Sequence, residues 1–324
     1  MNPVFVIGHR NPDTDSICSA ICYAELKHRL TGEPYIPCRA GHVNTETKFV
    51  LERFGVKAPR YIKSFEPCLC DVQYRRIPGI DEEMSLHRAW NYMNENDIQT
   101  LAVVDEDRHL KGLLTLSDIA RFYMEDKDAN ALAEAGTSYR NLVDVLDGTL
   151  IVGDIEKRFE QGSVVVAAAN PDVLEDYIGP RDMVILGNRY ESQLCAIEMN
   201  AGCIIIGLGA KVSRTNRKLA SENQVSIIAT PLTTYSCAKV VSQAVPVRHV
   251  MRRRGLITFE PDDVVEDVKR AVSKKRMRYY PLLDEQGRYI GMFSQRNLLD
   301  LERPSVILVD HNERTQAVDG LDEA

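Results

Sequence analysis

Short, uninterrupted apolar runs that alternate with amphipathic segments dominate the pattern of this chain. The first run is Val-Phe-Val-Ile at residues 4–7, and the pattern from Ser16 to Leu30 predicts a helix. Runs of the same kind recur between Thr137 and Ala244, with helical patterns between them. Continuous apolar strands that alternate with helices are typical of parallel sheets covered on both faces. The pattern therefore predicts an α/β protein built on parallel sheets.

The segment from Thr137 to Ala244 shows this alternation most clearly. Its predicted elements are strands at 164–167, 183–186, 203–206 and 226–229, helices at 172–178, 192–200 and up to Leu219, and turns at 187–189, 207–209 and 230–233. Glycine-rich turns after strands can bind a phosphate, but most are simple tight turns, and we predict no catalysis here. The order and spacing of these elements resemble the DRTGG domain, although the four residues that name that domain are degenerate in this chain.

An internal repeat flanks this segment. Residues 94–122 align with residues 273–301 without a gap, so that Gly112 falls on Gly291. Each copy has the pattern strand, turn, strand, helix. Amphipathic helices are predicted upstream of the two copies, at 85–94 and 264–273. A repeat of this length indicates that one supersecondary unit occurs twice.

The repeat resembles the CBS domain, a module that usually occurs in pairs and binds adenine nucleotides. The resemblance implies that Asp118 in the first copy holds a ribose, whereas Asn297 takes its place in the second. The full set of nucleotide-binding positions implied in this way is Thr115, Ser117, Asp118, Arg276, Arg278, Tyr279, Ser294, Arg296 and Asn297. Two alternatives stay open: Tyr279 and Tyr280 can be ordinary strand packing, and the copies can be dimerisation surfaces only.

The loop from Gly8 to Ser16 carries the strongest chemical signal. It places His9, Asp13 and Asp15 at the carboxyl end of a predicted strand, where open α/β sheets bind their ligands. Imidazole and carboxylate groups together suit Mn²⁺, Co²⁺, Zn²⁺ or Fe²⁺. Asn-Pro-Asp is also a common turn, and an aspartate there can simply cap the following helix. The histidine four residues before the first aspartate favours a metal site.

A similar arrangement closes the chain. The apolar run at 306–309 is followed by Asp310, His311 and Asn312. The simplest interpretation is that residues 67–303 are an insertion into one α/β domain. Strands on the two sides of the insertion would then share a sheet, and Asp310 would join the aspartates of the opening loop.

Composition narrows the possible partners. The 324 residues carry a net charge of −7 with 44% apolar and 27% charged residues, which disfavours a nucleic-acid surface because such surfaces are basic. The start has no signal-peptide pattern, and no apolar run approaches the ~20 residues that span a bilayer. We therefore expect a cytoplasmic protein without nucleic-acid or membrane partners. In a reducing cytosol the eight cysteines are expected to be free thiols, and the Cys68-x-Cys70 spacing matches no common zinc site.

Together these features resemble family II inorganic pyrophosphatases of the DHH phosphoesterase superfamily, in the regulated subtype with the order CBS, DRTGG, CBS. Thr14 supports this family, since other DHH phosphoesterases usually carry glycine there. The resemblance implies that His9 and Asp13 hold one Mn²⁺ or Co²⁺, that Asp15 holds a second, and that Asp310 bridges both. His311 and Asn312 would orient these ligands. Mg²⁺ would accompany the pyrophosphate substrate.

One departure from the family pattern affects the expected activity. The family continues with an Asp-His-His motif about twenty residues after the counterpart of Asp310 and then with a domain that clamps the substrate, whereas this sequence stops at Ala324. We therefore expect very low pyrophosphatase activity from these residues alone. Whether the sequence is a fragment or a natural truncation stays open.

The resemblance also implies regulation and assembly. AMP and ADP would inhibit, ATP or diadenosine polyphosphates would activate, and the CBS copies would form a homodimer. Two other functions stay open: a non-catalytic sensor of adenine nucleotides, and a phosphoesterase that acts on oligonucleotides or cyclic dinucleotides. The predicted boundaries are 1–66 and 304–324 for the catalytic domain, 67–127 and 245–303 for the CBS copies, and 137–244 for the DRTGG-like domain.

Overall fold

A computed structural model describes residues 3–62, 66–125, 130–273, 275, 277–299 and 305–309. The chain forms two compact units. The first unit contains residues 1–76, 258–284 and 291–324, and the second contains residues 77–257 and 285–290.

The strands of the described residues are β1 (Val4–Ile7), β2 (Tyr35–Arg39), β3 (Arg60–Tyr61), β4 (Ile80–Asp81), β5 (Thr100–Val104), β6 (Leu110–Thr115), β7 (Thr137–Ser138), β8 (Thr149–Val152), β9 (Arg158–Phe159), β10 (Val164–Val166), β11 (Met183–Leu186), β12 (Cys203–Ile206), β13 (Ser226–Ala229), β14 (Tyr279–Leu283), β15 (Tyr289–Ser294) and β16 (Ser305–Leu308). The α-helices are α1 (Thr14–Thr31), α2 (Thr45–Phe54), α3 (Leu86–Glu95), α4 (Leu116–Met124), α5 (Ala131–Glu134), α6 (Tyr139–Val145), α7 (Pro171–Leu174), α8 (Tyr190–Glu198), α9 (Arg214–Glu222), α10 (Thr234–Val240), α11 (Val265–Ser273) and α12 (Gln295–Leu299).

The first unit is organised by a parallel sheet with the strand order β16-β1-β2-β3. β1 pairs with β16 along its whole length, from Val4 opposite Ser305 to Ile7 opposite Leu308. The prediction that the apolar runs near the two ends of the sequence share one sheet is thereby confirmed. Helix α1 begins two residues earlier than predicted, because Asp13 caps it, and ends before Gly32, which has φ +75°.

The second unit contains a five-stranded sheet with the order β10-β11-β12-β13-β8. Strands β10 to β13 are parallel to one another, as predicted. The central strands β11 and β12 are buried at every position, which accounts for their fully apolar sequences. Val184 and Ile204 contribute to one hydrophobic cluster, whereas Ile185 and Ile205 contribute to the other.

One edge strand of this sheet was not predicted from the sequence. β8 runs antiparallel to β13, so it extends the four predicted parallel strands into a mixed sheet. Only partial burial leaves β8 with a weaker apolar pattern than the central strands. Helix α7 also ends earlier than predicted, because residues 175–177 continue as turns.

The two CBS-like copies follow the predicted register. β5, β6 and α4 begin at residues 100, 110 and 116, and β14, β15 and α12 begin at residues 279, 289 and 295. This is the same offset as in the sequence alignment. Each copy has one further extended segment that the pattern did not reveal: β4 runs parallel to β5, and Phe259 makes a parallel bridge to Leu282.

The leading segment of each copy pairs with a strand of the other copy. Within the second unit, Arg252 bridges to Leu113, and within the first unit, Arg75 bridges to Met292. In these two bridges the strand residues are Leu113 and Met292, and a glycine directly precedes each of them. A Cβ on Gly112 would lie 2.8 Å from the Arg252 carbonyl oxygen, and one on Gly291 would lie 2.7 Å from that of Arg75. The glycines therefore permit the close backbone approach.

The expectation of eight free thiols was wrong for two residues. Cys68 and Cys70 form a disulfide, because a single 3₁₀ turn brings their Cα atoms within 5.2 Å of each other. The remaining cysteines, at positions 18, 22, 38, 195, 203 and 237, are free. Within the described part of the chain, no helix combines the length and apolar character that a membrane crossing requires.

The close approach at Gly112 yields a test of this packing. We expect Gly112→Ala to lower the free energy of unfolding by about 2 kcal/mol, because the added methyl overlaps the Met251 side chain and the Arg252 backbone. Gly187→Ala is a matched control, since the nearest atom to its added Cβ, Thr234 Oγ1, is 3.9 Å away. Urea unfolding of both variants measures the difference, and equal stabilities would contradict the assigned role of Gly112.

Candidate metal loop and nucleotide sites

The loop between β1 and α1 is held against the start of the helix. A Cβ on Gly8 would collide with Ser16 Oγ, so only glycine fits there. Asp13 Oδ1 accepts a hydrogen bond of 2.9 Å from the backbone N–H of Ser16. On the other side, a Cβ on Gly41 would meet Pro12 at 2.5 Å. Helix capping and close packing therefore fix the backbone that carries the predicted ligands.

His9 and Asp13 are brought together by this loop. His9 Nε2 lies 3.6 Å from Asp13 Oδ1, and the His9 side chain is 16% exposed whereas that of Asp13 is 57% exposed. The distance is too long for a good hydrogen bond. Asp13 Oδ2 accepts no hydrogen bond from any described residue. The loop therefore brings an imidazole nitrogen and a carboxylate oxygen within 3.6 Å of each other, and the carboxylate is exposed to solvent.

Asp15 is separate from this pair. It lies in the first turn of α1, and its Oδ1 accepts a hydrogen bond of 3.5 Å from Ser19 Oγ. Among the described residues, the three potential metal ligands that lie within 4.8 Å of one another are Cys68, Cys70 and Asp71. His9, Asp13 and Asp15 of the opening loop do not form such a group. The sulfurs of Cys68 and Cys70 are bonded to each other.

The end of β16 lies at the same sheet edge as the metal loop. The Val309 N–H donates to the Ile7 carbonyl oxygen at 3.0 Å, so the chain is still paired with β1 at the last described residue. Asp310 follows Val309 directly in the sequence. Asp310, His311 and Asn312 lie outside the described residues. Imidazole and carboxylate donors at such an edge are a ligand set that Mn²⁺ and Co²⁺ accept.

Asp118 forms a capping box at the start of α4. Its Oδ2 accepts hydrogen bonds from the Thr115 hydroxyl at 2.6 Å and from the Thr115 N–H at 3.0 Å. Thr115 Oγ1 in turn accepts from the Asp118 N–H at 3.2 Å. The reciprocal bonds hold the Asp118 carboxylate in one orientation. Ser117, on the same turn, is exposed.

Arg252 occupies the second oxygen of the same carboxylate. Arg252 Nε donates to Asp118 Oδ1 at 2.7 Å, and the Asp118 side chain is only 2% exposed. The bridge between Arg252 and Leu113 brings the arginine to this position. Arg252 was not predicted from the sequence. The signal was a second, shorter similarity: Tyr74-Arg75-Arg76 and Met251-Arg252-Arg253 precede the two copies at nearly the same spacing.

The second copy repeats the capping box with an amide. Asn297 Oδ1 accepts from the Ser294 hydroxyl at 2.6 Å and from the Ser294 N–H at 2.8 Å. Arg278 and Arg296 are exposed, and Tyr279 is half-buried. Arg276 lies outside the described residues.

Tyr280 belongs to the core. It is fully buried and packs against Phe259 and Phe293, each with a centroid separation of 5.8 Å. Of the two alternatives considered for this tyrosine, strand packing is therefore the one that the structure supports.

Comparisons with known proteins agree with the domain types expected from the sequence. The chain matches the CBS domain over residues 70–125 and 247–303 and the DRTGG domain over residues 141–244. A crystal structure of the CBS and DRTGG domains of the regulatory region of Clostridium perfringens pyrophosphatase, complexed with the activator diadenosine tetraphosphate, superposes with a TM-score of 0.68 at 33% identity. The match covers 71% of this chain and 100% of that structure.

Two curated relatives align with nearly the whole sequence. The cobalt-dependent inorganic pyrophosphatase of Clostridium perfringens is 36% identical over 99% of the chain, and a probable manganese-dependent inorganic pyrophosphatase of Thermotoga maritima is 32% identical over 99%. The chain spans 58% of the length of each relative. The chain is therefore built from CBS and DRTGG domains, it belongs with the CBS and DRTGG regulatory region of the Clostridium perfringens pyrophosphatase over 71% of its length, and it is similar to cobalt- and manganese-dependent inorganic pyrophosphatases over 99%.

Proposed function

We propose that this chain contributes to a two-metal centre that hydrolyses pyrophosphate and that adenine nucleotides bound at its CBS copies regulate the reaction. The observation that carries the proposal is the pairing of β1 with β16 in parallel. It places the start of the His9–Asp13 loop and the residue before Asp310 at one sheet edge. We assign the protein to the cytoplasm, where pyrophosphate and adenine nucleotides are available.

At this sheet edge the chain supplies two kinds of metal-ligating group, an imidazole and carboxylates. His9 and Asp13 would hold one ion, Asp15 a second, and Asp310 would bridge them. The capping bond to Ser16 fixes the Asp13 carboxylate while leaving Oδ2 available. Largely buried His9 keeps its ring in a fixed position, which lowers the entropic cost of binding an ion. When bound, Mn²⁺ or Co²⁺ neutralises diphosphate charge and lowers the pKa of bound water.

Manganese binding tests the loop directly. We expect the protein to bind Mn²⁺, measured by the loss of the free-ion electron paramagnetic resonance signal, and His9→Ala to weaken binding at least about tenfold because an imidazole ligand is lost. His28→Ala is the matched control, since His28 lies exposed in the last turn of α1 and away from the loop. Its affinity should equal that of the wild type.

Phosphate release from pyrophosphate, measured on the same samples in Mn²⁺ and in Co²⁺, tests the reaction. Equal metal affinity in the His9→Ala and His28→Ala variants would refute the assignment of the loop. We expect this release to be very low, and metal binding with no release at all would exclude hydrolysis by these 324 residues alone while leaving the assignment of the metal ligands intact.

Nucleotide binding at the CBS copies is supported by two observations. The related Clostridium perfringens regulatory region was crystallised with diadenosine tetraphosphate, and both copies here hold a polar side chain in a fixed capping box. A ribose at Asp118 competes with Arg252 for Oδ1. Binding in the first copy therefore requires Arg252 to move or to share the carboxylate, whereas Asn297 in the second copy has no negative charge to offer.

Asp118→Asn tests the first copy while keeping its capping box, although it removes the ion pair with Arg252. The variant should fold, because Asn297 shows that an amide forms the same capping box. We expect calorimetry to show AMP binding that is about tenfold weaker than in the wild type, because a charge-assisted hydrogen bond becomes a neutral one. The affinities for ADP, ATP and diadenosine tetraphosphate should likewise be lower in the variant than in the wild type.

Asp144→Asn is the control for the loss of one negative charge. Asp144 pairs with Arg88 on the surface of the second unit, and both side chains are substantially exposed. Unchanged AMP affinity in Asp118→Asn, or an equal loss in both variants, would exclude Asp118 as the ribose ligand.

A homodimer through the CBS copies is also part of the proposal. Helices α3 and α4 form an apolar groove of about 430 Å³ lined by Leu86, Trp90, Leu116, Ile119 and Tyr123 among others. Trp90 and Tyr123 are each 44% exposed. Large aromatic side chains around a groove are typical of the centre of a protein interface, and a second copy of this chain is the proposed occupant.

Trp90→Lys should convert this dimer to monomers, because the substitution places a charge at the centre of the apolar groove. Sedimentation equilibrium measures the mass in solution. Tyr177→Lys is the control, since Tyr177 is 69% exposed and lies outside the groove. A monomeric wild type, or a Trp90→Lys variant that still dimerises, would exclude this interface.

A further inference from the structure

The DRTGG segment contains a polar cavity of about 480 Å³ that the proposed function does not use. It lies at the amino edge of the parallel strands, opposite the glycine-rich turns considered from the sequence. Its lining includes Tyr139, Lys157, Arg158, Glu160, Arg181 and Gln224. A volume of this size is typical of small-molecule sites.

Two cationic side chains in the lining have no ion-pair partner among the described residues. Arg158 is paired with Glu83 at 2.7 Å, but the side chains of Lys157 and Arg181 make no ion pair or hydrogen bond with any residue that the structure describes. Glu160 is the one acidic side chain of the lining. The cavity therefore has an excess of positive charge. Burial raises the pKa of Tyr139, and its hydroxyl donates a hydrogen bond of 3.3 Å to the Gly202 carbonyl oxygen, so this group adds no negative charge to the cavity.

The backbone conformation of Arg181 independently supports a functional role for its side chain. Arg181 has φ +72°, and it is the third residue of a turn closed by the Asp182 N–H and the Gly179 carbonyl oxygen. Turns with a positive φ at this position strongly prefer glycine, because a Cβ strains the left-handed conformation. An arginine held there costs stability, and such strain is typical of functional positions.

The surrounding structure holds this turn in place from two sides. A Cβ on Gly202 would lie 2.5 Å from the Arg181 carbonyl oxygen, and a Cβ on Gly162 would also collide with it. The Arg181 N–H donates to the Asn200 carbonyl oxygen at 2.8 Å. Two glycines and a backbone hydrogen bond therefore keep the strained residue at the rim of the cavity.

We propose that this cavity binds a phosphorylated small molecule, with Arg181 and Lys157 as the ligands of its phosphate group. Guanidinium and ammonium groups are the side chains that proteins use for phosphate. The Gln224 amide, which also lines the cavity, can hydrogen-bond the remainder of the molecule. The competing explanation is that Arg181 only offsets the carbonyl ends of α8 and α9, which lie near this edge.

Arg181→Gly separates the two explanations. Glycine relieves the strained φ, so the variant should fold and melt at or above the wild-type temperature. We expect its affinity for inorganic phosphate, measured by calorimetry in EDTA to exclude the metal loop, to fall at least about tenfold. Lys211→Ala, which removes an exposed cation from the loop after β12, is the charge-matched control and should bind phosphate like the wild type.

The amide signal of Gly202 in a TROSY spectrum reports the location of binding, since Gly202 lines the cavity. It should shift on addition of phosphate in the wild type and stay fixed in Arg181→Gly. Ribose 5-phosphate should bind more tightly than inorganic phosphate, because it also reaches the neutral polar groups. Equal phosphate affinity in wild type and Arg181→Gly, or an unmoved Gly202 signal, would overturn the proposal and leave Arg181 as a partner of the helix ends.

Discussion

Close backbone approach at two glycines is the constraint on which the paired copies depend. Gly112 and Gly291 each admit a chain segment from the other copy, and no larger residue fits without displacing it. One of these segments carries Arg252 to the Asp118 carboxylate. The predicted ribose ligand is therefore built from parts of the sequence that lie more than a hundred residues apart, and its charge is already balanced before any nucleotide arrives.

The division of the chain places the two predicted nucleotide positions in different compact units. Asn297 belongs to the same compact unit as the metal loop, whereas Asp118 belongs to the other unit. The capping boxes are alike in geometry, but one is an aspartate paired with an arginine and the other an uncharged amide. The two copies thus offer different chemistry to a ligand despite their common fold, which is the difference a regulator needs if it is to distinguish between nucleotides.

The sequence predicted best where local pattern and burial agree. β11 and β12 are buried at every position, and the strands of the repeat recur at one fixed offset, so both patterns are unambiguous. β8 was not predicted because its exposed first residue, Thr149, leaves an apolar run of only three residues. The roles of Arg252 and the strained Arg181 were not predicted for another reason. These roles come from contacts and backbone angles that a single sequence does not encode locally. Asp310 was predicted from its position after an apolar run, and it remains a prediction.

The pairing of β1 with β16 also determines the order in which the chain can fold. β1 ends at Ile7, and β16 begins at Ser305, so a ribosome that adds ~5–20 residues per second needs on the order of 15–60 s to supply the partner strand. Until then β1 has β2 on one side and an open edge on the other. Open strand edges pair readily with other chains. The sheet that carries the metal loop is thus completed late, after the long insertion has been synthesised, and nascent chains are most exposed to aggregation in that interval.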